Sequence, residues 1–251
     1  MKVMLIRIAV IAGAVALWQM ASGRFIDAYF ISSPSAIVAD LKLGFSDGQL
    51  LSDVGTTMTE AALGLLLGML LGSIVGLVFA FMPLLDKVME PIIGAANAVP
   101  RPALAPLFVL WFGLGMTSKV LVALSLVFFV AFYNAYQGVK SIDQDVINSI
   151  RVMKARRVQT LRFVVLPAVF SWVFAAFKLS VGYSLVGAII GEFVGATSGL
   201  GYQLAQAQGL LNTDRVFSIV VLTGVVATVI LFAAGRVEKA VLKWRPEAAV
   251  A

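Results

Sequence analysis

Residues 57–82 read TMTEAALGLLLGMLLGSIVGLVFAFM, and after Glu60 no charged side chain appears for 22 positions. About 20 apolar residues suffice for a helix to cross the hydrocarbon of a bilayer. The run is longer than that, so it predicts a membrane-spanning helix. Within it Gly64, Gly68, Gly72 and Gly76 recur at a spacing of four. Residues four apart share one helix face, so the glycines form a smooth groove that lets another helix approach closely. Gly187, Gly191 and Gly195 repeat the pattern near the other end of the chain. Packing within one chain is the ordinary reading of both stripes, and a contact between subunits is the other.

The rest of the sequence agrees with lipid as solvent. Of 251 residues 61% are hydrophobic and only 13% charged, with a mean hydropathy of +0.99. A soluble domain is about a quarter charged. Further apolar runs lie at 4–21, 88–112, 118–137, 164–195 and 216–236, making six spans of an all-α integral membrane protein. The third holds Pro91, Pro100, Pro102 and Pro106 and is expected to be kinked or broken. The fifth is long and is expected to bend near its glycines. The first resembles a signal peptide in outline, but its length and the lack of a small-residue cleavage pattern favour a retained helix.

Connections set the orientation. Segment 138–163 carries Lys140, Arg151, Lys154, Arg156, Arg157 and Arg162, and the tail carries Arg236, Lys239, Lys243 and Arg245. Segment 22–56 has Arg24 and Lys42 against Asp27, Asp40, Asp47 and Asp53. The excess of Lys and Arg on cytoplasmic loops places 138–163 and both termini inside, which six spans satisfy. The net charge of +6 is thus a matter of topology, and no nucleic-acid partner is expected. In the external segment, SSPS (32–35) predicts a turn followed by a short helix, Ala36 to Leu43.

The chain contains neither Cys nor His. That removes thiol nucleophiles, Cys–His metal sites and the imidazole base. Neither a cofactor nor a metal is expected. No Gly-rich loop ending in Lys-Ser/Thr is present, so ATP hydrolysis is not expected of this chain. Lys178 falls eleven residues past Pro167, about 16 Å into the fifth helix. A cation there faces water or a polar partner. It either lines a path for an anion or serves a structural bond. Arg101 has the same two readings, path residue or cap on exposed carbonyls. Tyr183 is a further candidate for the path. Glu60 and Glu192 read as counter-charges near the outer side, with nothing in the sequence to bring them together.

Within 144–165 apolar residues recur at three- and four-residue spacing while Arg151, Lys154 and Arg157 fall on another face. This predicts one or two short amphipathic helices ending at Pro167. They either rest on anionic lipid or dock a cytoplasmic protein.

The stretch 148–167, NSIRVMKARRVQTLRFVVLP, resembles the cytoplasmic Glu-Ala-Ala loop of permease subunits of bacterial ATP-binding-cassette (ABC) importers. Leu166-Pro167 matches the loop's end and Ala155 follows the position of its glycine. Asn148, Ser149 and Ile150 stand where Glu-Ala-Ala is usual, and Lys154 stands where the glycine is usual. VPRPALAPLFVLWFGLG (99–115), GEFVGATSGLGYQL (191–204) and SSPSAIVADL (32–41) are similar to blocks of the nitrate, sulfonate and taurine permease group.

The resemblance implies a type I ABC importer transmembrane domain at 57–240, after a first helix and external linker at 1–56 and before a cytoplasmic tail at 241–251. It implies ATPase coupling through Asn148, Ser149, Ile150, Arg151, Met153, Lys154, Ala155, Arg156 and Arg157. It implies a translocation path near Arg101, Lys178, Tyr183 and Glu192, and helix packing at Gly64, Gly68, Gly72 and Gly76. Its expected partners are an ABC ATPase dimer, an external substrate-binding protein and a second permease copy in the inner membrane. The expected cargo is a small anion such as a sulfonate, taurine or nitrate. A vitamin or pyrimidine-precursor importer is the alternative within transport. An intramembrane lipid-modifying enzyme or a membrane scaffold is the alternative outside it, the enzyme disfavoured by the missing His and Cys.

Overall fold

The computed structural model describes residues 2–241. The tail expectation for 241–251, including Lys243 and Arg245, lies outside the described residues beyond its first position. In chain order the helices are α1 (Lys2–Ala21), α2 (Pro34–Ser46), α3 (Gln49–Phe81), α4 (Pro83–Ala98), α5 (Ala105–Phe112), α6 (Met116–Lys140), α7 (Gln144–Val152), α8 (Arg157–Thr160), α9 (Leu166–Val194), α10 (Leu200–Gly209) and α11 (Thr213–Val241). A 3₁₀ turn, Arg101–Leu104, precedes α5, and a π turn, Leu161–Val165, joins α8 to α9.

Five helices are long and apolar enough to cross a membrane singly, and α4 with the segment Arg101–Phe112 forms a pair bent by 81° that brings the number to six when taken as one broken span. The bend falls where Val99 and Pro100 are extended. Pro100 and Pro102 withhold backbone donors, and Pro100 holds its predecessor Val99 out of the helical region. The broken third span is thus accounted for by its prolines.

The fifth span differs from expectation. It is helical throughout α9, and its irregularity is the π turn ahead of Pro167 rather than a bend at its glycines. Those glycines are engaged in packing. Helix α3 also starts at Gln49, so position 57 lies inside it.

The core is a slab in which α6 is held between α3 and α9. A Cβ on Gly68 would lie 2.7 Å from Val127 Cβ, and one on Gly64, Gly72 or Gly76 would collide with Ala123, Phe128 or Phe132 of α6. From the other side a Cβ on Gly187 would lie 2.6 Å from Ala123 Cα, and on Gly191 3.0 Å from Lys119 Cα. Ala123, fully buried, meets both glycine faces. In lipid, where no hydrophobic gain separates helix contact from tail contact, close packing of this kind supplies the association.

A second layer crosses one end of the slab. Ser33 caps α2 by accepting a hydrogen bond from the Ala36 N–H, as the SSPS turn predicts. Asp40 of α2 pairs with Arg215 of α11 at 3.2 Å, and Ser32 donates to Asp214 at 2.6 Å. Helix α1 is fastened at the same end, where Trp18 Nε1 donates to the Ser32 carbonyl at 2.7 Å.

Overpacking a close helix contact costs about 1–3 kcal/mol per site. Gly68→Leu with Gly72→Leu is therefore expected to abolish a monodisperse peak in detergent and lower the midpoint of thermal unfolding. Gly55→Ala, where an added methyl meets no atom within 4 Å, is expected to leave both unchanged or slightly improved.

Candidate functional site: a buried polar latch and a capped loop tip

The GLGY block begins α10, and the first N–H groups of a helix have no partner within it. Here the Gly199 N–H donates to Asp53 Oδ1 at 2.7 Å, the Leu200 N–H to Thr57 Oγ1 at 2.9 Å and the Gly201 N–H to Glu192 Oε2 at 2.6 Å. Thr57 Oγ1 donates in turn to Glu192 Oε1 at 2.7 Å. Gln203 Nε2 donates to Asp53 Oδ2 at 2.7 Å. Asp53, Thr57, Glu192 and Gln203 are all buried. Gly199 takes φ +103° and its missing side chain is where the Glu192 carboxylate sits. A Cβ on Gly201 would lie 2.7 Å from Glu192 Cβ. Both glycines of the block are thus required by Glu192.

Glu60 and Lys119 complete the cluster. The Glu60 carboxyl is within hydrogen-bonding reach of Glu192, although the two are far apart in sequence. Lys119 is fully buried. Its ammonium donates to the carbonyls of Leu114 and Gly115 and faces both glutamates. Glu192 therefore faces the interior of the chain rather than a water-filled path. Lys119, Asp53, Thr57 and Gln203 escaped the sequence reading because the cluster draws on α3, α6, α9 and α10, far apart in the chain. The one available signal was the close Gly-Leu-Gly spacing after a lone glutamate.

The other path candidates are dispersed. Arg101 Nη2 donates to the Asn97 carbonyl at 3.0 Å and to Asn97 Oδ1 at 2.6 Å, and its guanidinium lies 4.2 Å from the Phe129 ring centre. Its guanidinium thus reaches the end of α4. Lys178 and Tyr183 are exposed on α9. Below Arg101, a cavity of about 210 Å³ is lined by Asp86, Glu90, Tyr133 and Tyr136 among others. There Tyr136 and Lys140 both donate to Asp86 Oδ2, at 2.9 and 3.2 Å, fastening α4 to α6.

At the other end, α7 closes with the Ala155 N–H donating to the Ile150 carbonyl at 3.2 Å. Lys154 before it has φ +55°. This is a Schellman ending, whose left-handed position is normally glycine. Arg156 then stands at the cap position before α8, and Gln159 Oε1 accepts from the Arg156 N–H at 2.7 Å, half of a capping box. Between them Val152, Met153, Lys154 and Arg156 are exposed. The backbone of Arg151 and Arg157 is helical. Asn148 and Ser149 are exposed, whereas Ile150 and Ala155 are partly covered.

A family model described as the binding-protein-dependent transport system inner membrane component matches residues 64–243. The chain belongs to this family. Among permeases of known name, it is 32% identical to the riboflavin transport system permease protein RibX of Chloroflexus aurantiacus, over 86% of this chain and 81% of that one. It is 28% identical to the taurine transport system permease protein TauC of Escherichia coli, over 92% and 86%. Among solved structures, a chain of the MetNI methionine ABC transporter in an inward-facing form superposes with a TM-score of 0.68 at 19% identity, covering 78% of this chain and 97% of that one. The fold is that of a type I ABC importer transmembrane domain, and the chain is a permease for a small solute.

In this permease the left-handed residue falls at Lys154, where the loop resemblance puts glycine. The backbone keeps the turn while the side chain departs from the pattern.

Removing one member of a buried charged network costs about 3–5 kcal/mol. Glu192→Ala is expected to lose most of the folded yield, with Gly199→Ala behaving alike because its methyl occupies the carboxylate's place. Thermal unfolding in detergent, with Glu192→Gln as the milder comparison, measures both.

Proposed function

We propose that this permease couples to a cytoplasmic ABC ATPase dimer through residues 148–157, and that ATP is hydrolysed by that partner. The observation that carries the proposal is the loop tip: a turn stiffened by a Schellman ending and a capping bond, with apolar and cationic side chains exposed on it. A rigid projecting tip can pass a push from a rotating partner to α9, as alternating access by rocking of helix bundles requires. The positive charge of 138–163 supports a cytoplasmic position for this loop and for both termini. The family name supports delivery of solute by an external binding protein, and a second copy of the chain would complete the path.

For the path itself, Arg101, Lys178 and Tyr183 remain the proposed lining residues, with Glu192 assigned to support. The proposed unit is the segment 57–240 with the first turns of α3 added. We assign the cargo to small organic or inorganic anions such as sulfonates, taurine or nitrate, on the cations Arg101 and Lys178 and the likeness to a taurine permease. The likeness to a riboflavin permease favours a second reading, a vitamin or precursor importer.

Tagged protein extracted gently from its native membrane is expected to bring down an ATPase in roughly equal amount. Arg156→Glu with Arg157→Glu is expected to release it while the membrane domain stays monodisperse. Unchanged association and transport would overturn the docking assignment. Vesicles holding the complete complex, assayed for sulfonate against riboflavin uptake, separate the two cargo readings.

A further inference from the structure

We infer that the surface receiving the 153–156 turn is an apolar recess ringed by carboxylates on the ATPase. This rests on the proposed coupling role and names the chemistry of the partner. Val152 and Met153 are 82% and 80% exposed and Val158 is 72% exposed, so the tip offers an apolar centre. Around it Lys154 and Arg156 are exposed. From Val146 to Arg162 the sequence has five cations, and the next carboxylate after Asp145 is Glu192. Within 146–162 the sequence supplies no acid to offset these cations.

The tip stands beyond the end of α6. The segment Val158–Val194 runs as one span of 37 residues. A Cβ on Gly138 would lie 2.9 Å from Val169 Cα, so α6 ends about level with Pro167. Residues 158–166 then extend past the slab by about 13 Å of helix, carrying the tip with them.

The conformation argues for function as well. A lysine in the left-handed region is disfavoured by about 1–2 kcal/mol relative to glycine, and the exposed Lys154 side chain gains no burial to offset this. The left-handed closing position, which Leu211 also takes at the end of α10, holds the Lys154 side chain at the apex of the turn. A cation fixed at the apex by a stiff turn meets a complementary carboxylate without further ordering, which favours register and fast association.

The chain lacks cysteine, so Met153→Cys carries a single environment-sensitive dye at the tip. The detergent-purified permease is titrated with the ATPase that copurifies with it, at about 50 and 500 mM NaCl. For the dye-labelled permease, affinity is expected to fall about tenfold or more between these salts. Adding Lys154→Gly and Arg156→Gln is expected to weaken binding at low salt and flatten the dependence. Because Lys154→Gly relieves backbone strain, a folding failure does not mimic this result. Equal affinity at both salts, unmoved by neutralisation, would show a purely apolar contact and overturn the inference while leaving the ATPase pairing intact. A dye response to phosphatidylglycerol vesicles as strong as that to the ATPase would overturn it in favour of lipid. No ATPase recovered with the unmodified permease at either salt would overturn the pairing itself, and the inference with it.

Discussion

Three backbone N–H groups at the start of α10 anchor this protein. A helix that begins against the end of a membrane bundle must place those donors without relying on water, since an unpaired buried donor costs about 1–3 kcal/mol. Asp53 and Thr57 from α3 and Glu192 from α9 accept them in order. The positive end of the α10 dipole in turn favours the two carboxylates. One short helix thereby ties two spans together, and Lys119 brings in a third at its first turn. Gln203 extends the tie outward, bonded to Asp53 on one side and Arg215 on the other. Arg215 is paired with Asp40 of α2. A continuous polar chain therefore links the bundle to the layer that covers its end.

Below the latch the slab needs little polarity. The glycine faces of α3 and α9 press on α6 from both sides, with Ala123 between them. Such contacts are stiff because the backbones themselves touch. A displacement applied at one end of α9 is passed to α6 and α3 rather than absorbed by side chains. The latch and the slab together give α9 the character of a lever, fixed at Glu192 and extended past Pro167 at its other end. The π turn at Leu161–Val165 is the irregular joint in this lever, next to the tip that the partner is proposed to hold. Irregular helical turns of this type occur often at functional positions.

The loop tip illustrates how a motif can be degenerate in sequence and regular in shape. Lys154 adopts the conformation that glycine ordinarily takes in a Schellman ending. The turn survives because its hydrogen bonds come from the backbone of Ala155 and Ile150 and do not depend on side-chain identity. What changes is the surface, which gains a fixed cation in place of a bare backbone.

The number of crossings, the broken third span, the α2 cap and the glycine faces were legible in the sequence. Each depends on residues close together in the chain: a 22-residue uncharged run, prolines at 100 and 102, a Ser-Ser-Pro-Ser turn, glycines four apart. The family blocks were legible for the same reason. The latch was not, because Asp53, Thr57, Glu60, Lys119 and Glu192 are brought together from separate helices and their individual types suit many roles. Sequence also left Arg101 between path and cap, and tertiary structure put its guanidinium on the end of α4. The continuity of α9 through its glycines was likewise decided by packing. Glycine permits a bend, but Gly187 and Gly191 are pressed on α6 and the helix runs on through them, since in a lipid-solvated bundle the close contact is worth more than the freedom. Local patterns thus fixed which segments cross the membrane, and long-range contacts decided which polar side chains support the fold.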